Sequence, residues 1–281
     1  MWRGLKSQVH SDEKSSASEI GRLALVVLLV AFAMVACQLA SWARNRSDPV
    51  QTAASIPAGT VIPTRLAKTF SINGAQPGQA IEAKVAQDVP LPGGEKIAAR
   101  ATVNGSVVSV QDDQTDPGVK LHLKFNQLEE DKQTLTITAY LRAIASPIAV
   151  RSAQISSSGS DIGTPSGWAD TVLIGGDVRY GDGGVVRNHA KEKVGKGVVG
   201  GVLVHVRANP GRGCEGPVNG NDYPQALWVF SSDACGVYDL KGVKVARFGK
   251  GSPIGEIVLH FDKDNMKLEA GTGILLRIAS Q

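Results

Sequence analysis

The longest uncharged apolar run in the chain covers residues 23–43. A helix over these 21 positions, rising about 1.5 Å per residue, spans the roughly 30 Å hydrocarbon core of a bilayer. The run therefore predicts a single membrane anchor or a signal segment, preceded by a polar tail at residues 1–22. A polar linker at residues 44–55 follows. Beyond it the pattern changes to short alternating runs that are typical of β-strands.

The charges that flank the apolar run favour a cytoplasmic N-terminus and an exported C-terminus, because four Lys and Arg residues precede it and two closely follow it. Three outcomes stay open for the segment. It is an uncleaved anchor, it is a signal peptide cleaved after Ala43, or it is a lipoprotein signal. In the third case Cys37 is the candidate lipidation site, because Met34–Cys37 resembles a lipobox. All three place the remainder of the chain in the periplasm or outside the cell.

Alternation of apolar and polar residues dominates the next part of the chain. Residues 61–66, 81–85 and 101–107 each alternate and predict three strands separated by turns rich in Pro and Gly. Residues 119–125 alternate strictly, and after an acidic turn residues 134–141 return with the opposite alternation. This pair predicts a hairpin, with the apolar side chains of its first strand on one face.

The expected fold class is mainly β, an antiparallel barrel or sandwich with a disulfide-containing insert that follows the N-terminal transmembrane or signal helix. Residues 56–145 form the first β domain in this interpretation. A serine-rich linker at residues 146–170 separates it from a second β region at residues 171–281.

The second region contains three apolar runs that predict strands, at residues 226–230, 256–261 and 273–278. The C-terminal sequence LEAGTGILLRI, residues 268–278, is similar to IPAGTVIPTRL, residues 56–66. We therefore expect these two strands to pair with each other or to close the sheet.

Two of the three cysteines, Cys214 and Cys235, lie beyond the apolar run and are predicted to form a disulfide, because an even pair in an exported domain fits an oxidising compartment. Aromatic residues concentrate around this pair. Two interpretations of them stay open: they form the core of a small disulfide-linked lobe, or they form a binding surface. The residues concerned are Tyr223, Trp228, Phe230 and Tyr238.

The segment IPAGTVIPTRL, the strand AIEAKVAQDV and the Pro-Gly turn that leads to ATVNGSVVSV together resemble the opening of the periplasmic domain of TrbI-like proteins. These proteins are the β-barrel subunits of conjugative type IV secretion core complexes. The segment also resembles short exported β domains that carry the same IPAGT opening. The resemblance covers about residues 56–145. It implies a periplasmic β-barrel and a role in secretion or conjugation.

The charge pattern argues against a nucleic-acid partner. The net charge is +4, aromatic residues make up 5% of the chain, and the positive charges are scattered, whereas a nucleic-acid binder usually has a basic stripe with interleaved aromatics. Glu129–Lys132 is interpreted as a solvated turn rather than a metal site.

No catalytic, metal-binding or cofactor-binding residues are assigned. Residues 195–200 formally fit GxGxxG, but a strand is expected to follow them instead of a helix, so a flexible glycine-rich connector is predicted there. The histidines at 122, 189, 205 and 260 have no carboxylate-serine motif beside them in the sequence.

The predicted function is that of a membrane-anchored cell-envelope β protein, a structural or interaction module that uses no cofactor and contacts envelope proteins. A TrbI-like component of a secretion or conjugation apparatus is the specific form of this expectation. A ligand-binding or carbohydrate-binding envelope protein is the alternative, and an exported enzyme is the third.

Overall fold

The structure, a computed structural model, describes residues 56–112, 117–154, 170–180, 183–207, 214 and 223–280. They belong to the unit Ser55–Gln281. The predicted tail, the anchor or signal segment with Cys37, and the linker at residues 44–55 lie outside the described residues. No helix within the described ranges is long and apolar enough to cross a membrane.

The described chain is mainly β-structure, as the alternating pattern predicts. It also contains one short 3₁₀ turn, Pro92–Gly94, and one α-helix, α1 (Pro147–Gln154). The first strands are β1 (Val61–Leu66), β2 (Phe70–Ser71), β3 (Ala80–Val85), β4 (Val89–Pro90), β5 (Lys96–Ile97), β6 (Thr102–Asp112), β7 (Val119–Glu130) and β8 (Gln133–Ala145). The remaining strands are β9 (Asp170–Val172), β10 (Val178–Tyr180), β11 (Val185–Arg187), β12 (Lys193–Val198), β13 (Gly201–Val204), β14 (Gln225–Ala226), β15 (Gly236–Tyr238), β16 (Val243–Arg247), β17 (Ile257–Phe261), β18 (Lys267–Leu268) and β19 (Gly273–Ile278).

Six antiparallel strands close into a barrel in the order β1, β3, β6, β7, β8 and β19. β19 completes the ring because it pairs with β8 on one side and with β1 on the other. The expectation that the two similar terminal segments pair and close the sheet is confirmed. Through this closure each of the six barrel strands is paired on both sides along part of its length.

The barrel interior is filled by one face of each strand. In β7 the buried positions alternate with less buried ones from Val119 to Phe125, which confirms the predicted apolar face. The hairpin turn lies at Asp131 and Lys132, whose φ angles of 45° and 68° place both residues in the left-handed region. The predicted hairpin is therefore present, with strands longer than the alternation alone indicated.

Three further strands extend the barrel sheet. The first half of β7 pairs with β17, which pairs in turn with β16, while β15 runs parallel to the end of β8. Strands from residues 56–145 and from residues 171–281 thus belong to one nine-stranded sheet. The segment at residues 146–170, interpreted as a linker, begins with α1, and its residues 155–169 lie outside the described ranges.

A second antiparallel sheet contains β9 to β14 and has its own apolar core. Val61 of β1, Ala143 of β8 and Leu275 of β19 point into this second core, whereas their neighbours Ile62 and Leu276 point into the barrel. These barrel strands are therefore buried on both faces. This explains why β19, with the sequence GILLRI, is an almost continuous apolar run instead of an alternating one.

Two predictions for the second region are wrong. Residues 195–200 are not a loose connector, because Lys193–Val198 forms β12 and only Val199 and Gly200 turn into β13. The strand predicted at residues 226–230 ends at Ala226, because Trp228 adopts φ 56° in a turn. A left-handed residue cannot continue an extended strand.

Candidate functional site

The predicted disulfide is present. Cys214 and Cys235 are bonded with their Cα atoms 5.9 Å apart, and both residues are buried. Cys235 directly precedes β15, the strand that runs parallel to β8 of the barrel. The bond therefore ties Cys214 to the residue that begins the approach to a strand of the main sheet.

The aromatic residues near the disulfide fall into two groups. Trp228 and Phe230 are 5% and 0% exposed and belong to the second core. Tyr223 and Tyr238 are half-buried, and the Tyr238 hydroxyl accepts a hydrogen bond from the backbone N–H of Cys235 at 3.0 Å. The core interpretation therefore applies to Trp228 and Phe230, because their buried side chains are inaccessible to a ligand in this conformation.

Buried glutamine side chains join the second sheet to the barrel. Gln87 donates to the carbonyl oxygen of Val202 at 2.9 Å and accepts from the backbone N–H of Trp228 at 2.7 Å. Gln225 accepts from the backbone N–H of Val61 at 3.0 Å. Hydrogen bonds that satisfy buried polar groups in this way fix the relative position of the two layers.

A carboxylate is buried beside the disulfide segment, which comprises residues 223–238 and Cys214. Both oxygens of Asp177 accept hydrogen bonds from Ser232, one from the backbone N–H at 2.6 Å and one from the hydroxyl at 3.1 Å. Burial raises the pKa of the Asp177 carboxyl, while the bonds from Ser232 oppose this effect. The two hydrogen bonds between Asp177 and Ser232 hold the turn at residues 231–233 in place.

Arg142 places a second buried charge next to the same turn. Its Nη2 donates to the carbonyl oxygens of Arg207 and Ser232, each at 3.1 Å, while its buried Nε has no hydrogen-bond partner among the described residues. Burial, followed by the neighbouring guanidinium of Arg277, lowers the pKa of Arg142 to about 10. Sequence reasoning missed these arginines, because they lie within apolar strands that are 135 positions apart (277 minus 142).

A histidine-carboxylate pair also escaped sequence reasoning. His122 Nδ1 of β7 lies 2.7 Å from Glu256 Oε1, immediately before β17, and both side chains are mostly buried. Their sequence separation of 134 gives no local signal. Across the described ranges, no group of three or more His, Cys, Asp or Glu side chains is arranged to hold a metal ion.

An open cleft of about 580 Å³ lies between the loop at residues 98–102 and the β7–β8 turn at residues 129–134. Its volume is in the range of small-molecule sites. Glu130 Oε1 accepts a hydrogen bond from the backbone N–H of Ala98 at 2.7 Å across this cleft. The described lining residues include no aromatic side chain, which gives no support to carbohydrate stacking at this position.

In comparisons with known proteins, no family model matches this chain, and neither a curated protein nor a solved structure matches it. A functional proposal therefore depends on the residues of this chain and their geometry.

Proposed function

We propose that the chain is an exported β-barrel module of the cell envelope, held at the membrane by residues 23–43, and that it acts as a structural or interaction component. The observation that carries this proposal is the disulfide between Cys214 and Cys235. Stable disulfides are typical of oxidising compartments and rare in the cytosol. An uncharged 21-residue run upstream of the disulfide supplies the route to such a compartment.

Because side chains fill the barrel interior, the barrel favours a role in interactions over a role in enclosing a ligand. Apolar side chains from all six strands occupy the interior, including Ile62, Leu121, Phe125 and Leu276. A barrel of this size has room for its own side chains. Contacts with other molecules therefore take place on the outer surface, which the strands hold rigidly.

The specific form of the proposal is a TrbI-like component of a secretion or conjugation apparatus. Residues 56–66, which carry the IPAGT resemblance, contribute the turn and the strand β1 that closes the barrel with β19. The alternative, an envelope ligand-binding protein, is favoured by the open cleft beside the β7–β8 turn.

Export is tested by a reporter enzyme that is active only outside the cytoplasm, fused after Gln281 of the full chain. We expect activity in cells, and we expect it to disappear when residues 1–43 are deleted. An inactive full-length fusion that is expressed at the same level contradicts the proposal. Intact-mass measurement of the untagged protein then distinguishes a retained anchor, cleavage after Ala43 and lipidation at Cys37, because each outcome has a different mass.

A further inference from the structure

The turn between β12 and β13 carries an apolar side chain that projects into open space. Val199, the first residue of this turn, is 98% exposed. The next residue, Gly200, adopts φ 82°, and a methyl group there would meet nothing within 4 Å. Val198 precedes the turn at the end of β12 and is half-buried. The tip of this hairpin therefore presents valine side chains where polar residues are usual in turns.

Further apolar side chains lie on one face of the second sheet, which we call the outward face. Val172 of β9 and Tyr180 of β10 are 57% and 38% exposed. Val178 pairs with Val172 and lies two residues before Tyr180, so the three side chains share this face. The opposite face contains Thr171 and Val186, which are 1% and 0% exposed. The sheet thus buries one face and leaves apolar groups accessible on the other.

Strand pairing extends the outward face to the tip and adds cations to it. Arg187 of β11 pairs with Val178. Val185 lies two residues before Arg187 and pairs with Lys196 of β12. Val198 follows Lys196 by two residues, so it belongs to the same face. A continuous surface of apolar and cationic side chains therefore runs from β9 to the β12–β13 tip.

This part of the chain has a marked excess of positive charge. Residues 185–204 contain four Lys or Arg residues and one acidic residue, a net charge of +3 (four minus one), compared with +4 for the whole chain. The acidic residue, Glu192, accepts a hydrogen bond from Asn188 Nδ2 at 2.7 Å. Lys193 and Lys196 are exposed, and neither forms an ion pair with a carboxylate of the described residues. Their charges are available to an anionic partner.

We propose that the outward face and the β12–β13 tip dock onto the anionic phospholipid surface of a bilayer. Apolar side chains at the tip enter the boundary between headgroups and acyl chains, while the lysines beside them contact lipid phosphates. Tyr180 suits the same boundary, because its ring is apolar and its hydroxyl is polar. The proposal does not depend on whether residues 23–43 form an anchor.

A lipid surface uses both features of this region, and other partners use one of them. Nucleic-acid phosphates would contact the lysines and leave the exposed valines in water. A second copy of the chain could cover the valines. A symmetric contact would, however, bring two surfaces of net charge +3 against each other, and like charges that face each other oppose association.

The test places a polarity-sensitive fluorescent label at the tip of the full-length chain. Val199→Cys is made together with Cys37→Ser, because the two remaining cysteines are joined in the disulfide. The labelled protein is reconstituted into vesicles of neutral phosphatidylcholine, or of phosphatidylcholine mixed with anionic phosphatidylglycerol. We expect the emission to shift to shorter wavelength, with protection from an aqueous quencher, in the anionic vesicles alone. Insertion of residues 23–43 does not affect this comparison, because the label reports on the tip.

Two lysine substitutions test the role of charge. Lys193→Gln combined with Lys196→Gln should lower the ratio of protected to accessible label by roughly 25-fold, about fivefold for each lysine near an anionic surface. Lys263→Gln combined with Lys267→Gln is the matched control, because both lysines are exposed and lie outside the second sheet. This control removes the same charge from the protein and should leave the ratio unchanged.

A label at Ile254→Cys is the control for the position of the probe, because Ile254 is 52% exposed and lies in the loop between β16 and β17. It should show no spectral shift in either kind of vesicle. The proposal is wrong if the label at position 199 stays accessible in anionic vesicles, if neutral vesicles protect it equally, or if both lysine pairs have the same effect. A shift that needs no vesicles and grows with protein concentration would also overturn it, since a second copy would then cover the tip.

Discussion

At the scale of single residues, a tight steric constraint in the barrel is the absence of a side chain at Gly105. This residue lies in β6 where the register with β7 shifts, and it is buried. A methyl group there would overlap the carbonyl oxygen of Lys124 and lie 2.8 Å from Phe125 Cδ1 and 3.1 Å from Ile81 Cγ2. The φ angle of Gly105 is not in the left-handed region, so the constraint is one of space alone.

Gly105→Ala should therefore lower the free energy of unfolding by roughly 1–3 kcal/mol or more, the cost of adding a methyl group to a closely packed core. Urea unfolding followed by circular dichroism measures the change. Gly251→Ala is the control, because a methyl group at that glycine meets nothing within 4 Å. Equal stability of the two variants would show that β6 and β7 are not packed as closely as described.

Some features at the scale of single residues can be predicted from the sequence, and others cannot. The pairing of Cys214 with Cys235 follows from their number and from the expected compartment. The proximity of Arg142 and Arg277 does not, because these residues lie on β8 and β19, far apart in the sequence. Only the closure of the barrel brings their side chains together. No local sequence pattern indicates which polar residues this closure places side by side.

At the scale of elements, prediction succeeded where one face of a strand is buried and the other is exposed. The β7–β8 hairpin alternates for this reason, and it was predicted from alternation alone. Prediction failed at β12 and β14. The glycines of β12 resemble a loop, yet Gly195 lets Leu203 and Val204 of β13 approach closely. The short β14 ends because Trp228 uses its left-handed conformation to bury its ring.

The disulfide is the element whose contribution to stability is easiest to isolate. It closes a loop with a sequence separation of 21, for which loop-closure entropy predicts about 3 kcal/mol. The double variant Cys214→Ser, Cys235→Ser should melt at a clearly lower temperature, measured by calorimetry on the full chain. Residues 56–145 should keep their β-structure, since their core is largely made within the barrel.

Cys37→Ser serves as the control for loss of a thiol, because it leaves the disulfide intact. A reducing agent should lower the melting temperature of wild type and of Cys37→Ser, but not that of the double variant. Equal melting temperatures for wild type and the double variant would contradict the stabilising role. Two free thiols in protein from its native compartment would contradict the bond itself and the export proposal.

At the scale of the whole molecule, β19 connects the two cores. Leu275 and Leu276 are adjacent and fully buried, yet Leu275 packs in the second core and Leu276 in the barrel core. The same strand closes the barrel through its pairing with β1 and β8. A division of the chain at residues 146–170 therefore does not divide the hydrogen-bonded sheet, and we expect both cores to unfold together.

Leu275→Ala and Leu276→Ala test this coupling directly. Each substitution removes three carbon atoms from a buried position and should cost about 2–5 kcal/mol. Hydrogen exchange followed by mass spectrometry, in a low concentration of denaturant, reports separately on peptides from β6 and β7 and on peptides from β12 and β13. If β19 couples the cores, either variant lowers protection in both sets of peptides to a similar extent.

Ile254→Ala is the control, because its side chain is 52% exposed, and it should change protection in neither set of peptides. Loss of protection in β12 and β13 alone after Leu275→Ala would show that the second sheet opens independently, with the barrel remaining folded beneath it.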